Sequence, residues 1–184
     1  MDIDSLYFEG NGTVNTNANN INYLVFNANA FINQNSSFNH VTIRGNGTIM
    51  GSNTFGNLEL TQGKHYIFNG NTTQLFTGSL TANGTCAERI IFSSSSATIK
   101  ANFSKAAGSV SVNYCLLSGI NATGGASFSA NQSIDLGNNS GWTISQPAPI
   151  DLYWIGGSGT WEDGNNWSLS SGGQAANCLP NAID

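Results

Sequence analysis

Three segments of this chain align on a phenylalanine: "FNHVTIRGNGTIMG" from Phe38, "FGNLELTQGKHYIFNG" from Phe55 and "FTGSLTANGTCAERIIF" from Phe76. In each, the Phe is followed by a few polar residues, an alternating strand, a polar turn and a second strand. The steps of about 17 and 21 residues fall within the period of a solenoid coil. "NGT" recurs at Asn11, Asn46 and Asn83, about 35 and 37 residues apart, or two coils each time. A chain whose apolar bursts return at coil period buries them by stacking turn upon turn.

The rest of the pattern agrees. Helical periodicity is almost absent, and apolar residues come in short runs such as "INYLVF" (21 to 26), "YIF" (66 to 68) and "VSVNYCLL" (110 to 117), each flanked by Gly, Asn, Ser or Thr. That is the mark of short strands separated by tight turns, hence an all-β fold. The expected architecture is a right-handed parallel β-helix over residues 1–147. Stacked coils place like over like, so inward positions are apolar and of similar size, as Val41, Leu58 and Leu80 are. Stacked like charges would repel, so uncharged Asn, Ser and Thr are favoured outside. The 8% of charged residues and the 22 glycines follow. An antiparallel sandwich with short hairpins is the alternative, and some turns fit it.

Charge and hydropathy exclude other roles. A net charge of -5, with the five basic residues Arg44, Lys64, Arg89, Lys100 and Lys105 dispersed, leaves no footprint for nucleic acid. No apolar stretch approaches the roughly 20 residues that span a bilayer, so membrane insertion is not expected. The first residues carry acids where a signal peptide carries Lys or Arg, so the native targeting signal is expected elsewhere. The three cysteines have no CxxC or His-paired metal spacing. Cys86 and Cys115 are free either to pair in an oxidising compartment or to remain buried thiols, and Cys178 reads as the candidate for pairing beyond this segment.

At "SQPAPIDLYWIGGSG" (145 to 159) the texture changes. Pro147 and Pro149 mark an exposed connection, and residues 148–184 read as a small Trp/Gly-rich β module. Trp154, Trp161 and Trp167 have two readings: a platform on which sugar rings stack beside Asp163, Asn165 and Asn166, or the small core that a short module needs.

The stretch "YWIGGSGTWEDGNNWS", with "SGG" and "CLPNAID" after it, resembles a segment repeated within very large secreted surface proteins of Bacteroidetes that are exported by type IX secretion. "INATGGASFSANQSIDLGNNSGWTI" (120 to 144) resembles the closing coil of the parallel β-helix that precedes it there. The resemblance implies an extracellular, cell-surface tandem repeat of an adhesin-like or gliding-motility filament, with adjacent copies as partners, and implies no catalytic residues. If Ile183-Asp184 is equivalent to Ile3-Asp4, the repeat is about 180 residues long and the C-terminal module leads into the next solenoid. Asp4-Ser5-Leu6 also resembles the short sequence at which Bacteroidetes O-glycosylate exported proteins, which makes Ser5 a candidate site.

Catalytic chemistry is not expected. Glycosidases need two carboxyl groups about 5 to 10 Å apart, but Glu59, Glu88 and Asp135 are isolated in different coils, and the "GHG", paired-Asp and "RIK" patterns of polygalacturonase-like solenoids are missing. His40 and His65 lack a metal-ligand companion and read as coil-surface residues. Asp163, Asn165 and Asn166, with Glu162, offer hard oxygens in one loop and make calcium the one cofactor left open, although neither the twelve-residue calcium loop nor the glycine-rich nonapeptide is present. The expected function is therefore a stiff extracellular rod that contacts polysaccharide weakly and multivalently. A dedicated carbohydrate-binding module built on the Trp cluster is the alternative.

Overall fold

The computed structural model describes residues 3–15 and 20–180; Ile183 and Asp184, on which the equivalence with Ile3-Asp4 turns, lie outside them. The chain winds into a parallel β-solenoid of about eight turns. The first four coils each carry two strands: β1 (Ile3–Phe8) and β2 (Gly12–Val14), β3 (Asn20–Phe26) and β4 (Ala30–Ile32), β5 (Ser37–Ile43) and β6 (Gly47–Ile49), β7 (Asn53–Leu60) and β8 (His65–Phe68). The next three carry three: β9 (Thr73–Phe76), β10 (Leu80–Ala82) and β11 (Ile90–Ser94); β12 (Ala101–Ser104), β13 (Ser109–Asn113) and β14 (Cys115–Ser118); β15 (Ile120–Thr123), β16 (Ser127–Asn131) and β17 (Ile134–Asp135). The last coil contributes β18 (Trp142–Ile144). Every one of these strands pairs with its counterparts in parallel, and no α-helix occurs among the described residues.

The Phe alignment is the register itself. Phe38 pairs with Phe55 and Phe55 with Phe76, and their rings stack at centroid separations of 5.6 and 6.1 Å. Val41, Leu58 and Leu80 form a second inward column. Along β5 the inward residues Phe38 and Val41 are three apart rather than two, because Asn39 and His40 both face outward; β3 and β7 repeat the pattern. The strand therefore bends between its two inward residues. In the fifth coil the bend becomes a break: β9 continues the first half of β7, β10 continues the second half, and Thr77, Gly78 and Ser79 lie between. At that corner the backbones of successive coils approach closely, and a Cβ on Gly56 would collide with the Asn39 carbonyl, as one on Gly78 would with that of Gly56.

Outside the core, polar ladders run along the axis. The backbone N–H of Asn29 donates to Asn11 Oδ1 at 3.1 Å, that of Asn46 to Asn29 Oδ1 at 2.9 Å and that of His65 to Asn46 Oδ1 at 2.9 Å. Asn11 and Asn46, two coils apart, thus share a column as their "NGT" repeats imply. Asn83 does not join it: it follows β10 and bridges to Asn113, because the third strand of the wider coil shifts it to another side.

The C-terminal segment is a separate small β unit in which β19 (Tyr153–Trp154) and β20 (Trp167–Ser168) pair antiparallel. It is tied back to the solenoid by a disulfide between Cys86 and Cys178, with Cα atoms 5.1 Å apart. This corrects the pairing of Cys86 with Cys115 and the expectation that Cys178 pairs beyond the segment. Cys115 faces inward on β14, is fully buried and is a free thiol, whereas Cys86 sits on the outer loop between β10 and β11. Residues from both units, among them Arg89, Tyr114, Ile150 and Leu179, line a cavity beside the bond. The Arg89 guanidinium lies over the Tyr114 ring at 5.6 Å and donates to the Gln132 carbonyl at 2.9 Å.

Candidate functional site

The three module tryptophans come together, but they do not share one role. Trp167 pairs with Trp154 across the two-stranded sheet and is 6% exposed, while Trp154 is 40% and Trp161 58% exposed. Both exposed rings meet Trp167 nearly at right angles, with centroids at 5.1 Å for Trp154 and 4.5 Å for Trp161. Such edge-to-face contacts suit the ring quadrupoles. Trp167 Nε1 donates to the Trp161 carbonyl at 3.0 Å, and Trp154 Nε1 donates to the Gly157 carbonyl at 3.2 Å. Trp167 is therefore the buried centre of the module, and Trp154 and Trp161 are its exposed rings.

Trp154, Trp161, Trp167 and Gly159 enclose an open cleft of about 400 Å³. Its shape is set by the loop before it. Asn166 accepts from the Ile155 N–H through its carbonyl at 2.8 Å and donates from Nδ2 to the Thr160 carbonyl at 3.0 Å. The "GGSG" loop wraps so tightly round this side chain that a Cβ on Gly156 or Gly159 would overlap the Asn166 amide. Trp154 and Trp161 leave aromatic ring surface exposed at this cleft, and aromatic surface of that kind can take the CH face of a sugar ring.

The oxygens considered for calcium have local partners. Asp163 caps the 3₁₀ turn Gly164–Asn166, its Oδ1 accepting from the Asn165 backbone N–H at 3.0 Å and from Asn165 Nδ2 at 2.9 Å. Asp163 and Asn165 thus form an Asx turn, and Asn166 faces the glycine loop. Among the described residues no three His, Cys, Asp or Glu side chains gather where they would hold a metal. Ser5 is exposed on β1 and its hydroxyl donates to Asp4 at 3.3 Å.

The titratable groups with displaced pKa values lie elsewhere, on β8 and β14 of the solenoid. Burial pushes the Tyr66 phenol and the Cys115 thiol each up to about 12, and lowers His65 below the ordinary imidazole value. Tyr66 OH accepts from the Thr61 N–H at 2.8 Å and lies within donating distance of the Ile43 carbonyl at 3.1 Å. His65 Nε2 meets Ser93 Oγ at 2.7 Å. His65 and Tyr66 are neighbours on β8 whose side chains point to opposite faces, Cys115 lies two coils on in the same sheet, and burial accounts for each shift. No helix among the described residues is long and apolar enough to cross a membrane. No protein-family model, curated protein or solved structure matches this chain.

Proposed function

We propose that this chain is a structural repeat of a long extracellular, cell-surface adhesin or gliding-associated filament, which acts as a stiff rod and has adjacent copies of itself as partners. The observation that carries the reading is the register: one sheet runs unbroken through β1, β3, β5, β7, β9, β12 and β15, and a second through the seven strands from β2 to β17. Backbone hydrogen bonds in both lie along the axis, where they resist bending together. At about 4.8 Å per coil, eight coils make a segment of roughly 40 Å. The Cys86–Cys178 disulfide supports an oxidising compartment. Copies fused head to tail and imaged by electron microscopy should be straight, with length proportional to copy number. Flexible beads on a string would sink the reading.

The exposure of Trp154 and Trp161 favours a second reading, a carbohydrate-binding module at the cleft they form. On a glycan array Trp161→Ala should then abolish binding without lowering the melting temperature. Trp167→Ala, in contrast, should unfold the module, because Trp167 is its buried centre. If Trp161→Ala lowers the melting temperature and leaves any binding intact, the ring is a packing residue and the cleft reading fails.

A further inference from the structure

The geometry points to a second binding site, remote from the tryptophan cleft: an axial groove on the outer face of the first five coils that takes a linear, neutral oligosaccharide. It goes beyond the rod reading and does not depend on it. The column Ile3, Ile21, Phe38 and Phe55, partly buried at Ile3 and buried at the other three, turns its side chains inward, so the floor seen from outside is mainly its backbone. The residues before and after each member of the column face outward and form two rims. Asn20, Ser37 and Thr54 make one; Asp4, Asn22 and Asn39 make the other. Gly56 interrupts the second rim and Thr77 closes the far end. The enclosed volume is about 450 Å³, within the range of small-molecule sites. Five coils at about 4.8 Å give a trough roughly 20 Å long.

The hydrogen-bonding state of the rims identifies the class of ligand. Asn39 Nδ2 donates to Asn22 Oδ1 at 2.8 Å, and Asn22 Nδ2 donates to Asp4 Oδ1 at 3.1 Å. Each amide uses one of its two N–H groups and keeps the other. The next position is Gly56, so the chain of amides stops, and Asn39 Oδ1 faces a residue with no side chain to donate to it. On the opposite rim the Ser37 and Thr54 hydroxyls make no hydrogen bond among the described residues. The groove is thus lined by groups that both donate and accept at intervals set by the coil spacing, which matches a chain of sugar hydroxyls. Among the described residues no Lys or Arg lines it and Asp4 is the only charged one, so a polyanionic glycan is disfavoured. From β3 onward the floor's N–H and C=O groups are paired with the coils on both sides. A peptide lying along the trough therefore finds no strand edge to join there, the open edge of this sheet being that of β1 at its end. Tyr23 and His40, next along their strands from Asn22 and Asn39, stack at 4.8 Å and lie within 6° of parallel. Tyr23 is 45% exposed and adds apolar ring surface along that rim.

The test titrates the whole chain, by NMR or calorimetry, with linear glucose, xylose and mannose hexaoses, with a hexagalacturonate as the charged probe and a Ser/Asn-rich peptide as the polypeptide probe. At least one neutral hexaose should bind. Ser37→Trp or Thr54→Trp, which fill the trough from outward-facing positions, should weaken that binding at least tenfold with no change in melting temperature. Should either bulky variant fail to fold, Thr54→Val removes the hydroxyl at constant volume and should weaken binding about threefold to tenfold. Trp161→Ala should leave it unchanged. Failure of every neutral hexaose to bind, tighter binding of the galacturonate or the peptide, or binding that survives Thr54→Trp, or survives Thr54→Val where the bulky variants do not fold, would overturn the proposal. Loss of binding in Trp161→Ala alone would assign the sugar to the tryptophan cleft instead.

Discussion

Phe55 sits at the midpoint of the aromatic column, fully buried between Phe38 and Phe76, and replacing it with Ala is the sharpest test of stacked packing. The side chain has ring neighbours on both axial sides, and the surrounding sheet backbone is held by pairing above and below, so the space it leaves has little means of collapsing. A Phe→Ala change at such a site costs about 3 to 5 kcal/mol. For a chain of this length that corresponds to a fall in melting temperature of roughly 10 °C. Because each coil touches only its neighbours, the loss also uncouples the first three coils from those after the fourth, so the transition should broaden as well as shift. Urea and thermal unfolding followed by far-ultraviolet circular dichroism would measure both effects. Phe31, outward and half-buried on β4, is the internal control, and its Ala variant should cost about 1 kcal/mol or less. The double variant of Phe38 and Phe55 should show a coupling of about 0.5 to 1.5 kcal/mol. A Phe55→Ala cost no larger than that of Phe31→Ala would refute the stacked-core argument.

Thiol titration under native conditions should find no reactive cysteine, one after denaturation and three after denaturation with reduction, since Cys115 is buried and Cys86 is bonded to Cys178; a reactive native thiol would contradict this arrangement. Asn29→Ala removes the acceptor for the Asn46 N–H and should cost about 0.5 to 1.5 kcal/mol in urea unfolding, most of which Asn29→Asp should recover. The fold should lose stability in alkali. Tyr66 ionises near its ordinary value of 10.0 when unfolded and at about 12 when folded, so the unfolded chain releases its proton first and the fold's advantage, complete below the lower value, disappears between the two. Tyr66→Phe should flatten that part of the stability profile, and an unchanged slope would show that another group dominates it.

How much of this was legible in the sequence depended on whether the period held. Phe38, Phe55 and Phe76 could be aligned by eye because the first coils differ little in length and aromatic rings stand out against Asn and Ser. The same constancy put Asn11 and Asn46 in one column. Asn83 left it because Thr77, Gly78 and Ser79 convert a bend into a break, and the change from two strands to three is made by short polar residues that carry no apolar signal. The disulfide was hidden for a different reason. Cys86 and Cys178 are 92 residues apart, and the prolines at 147 and 149 suggested a segment leading away, where in fact it folds back. In the tryptophan cluster the residue types were evident, but which ring is buried depends on the antiparallel pairing of Trp154 with Trp167, set by a glycine loop around Asn166. The groove needed the register as well: Asp4, Asn22 and Asn39 are unremarkable singly and become a rim only when each lies over the last.

The Cys86–Cys178 bond has a consequence for how the chain would yield to tension. A pull on its two ends reaches the sulfurs before it reaches anything wound between them, so the later coils bear no load while the bond is closed, and only the residues before Cys86 and the few after Cys178 can pay out. The span of 92 positions between them holds in reserve roughly 300 Å of slack at full extension, which a reductant alone would release.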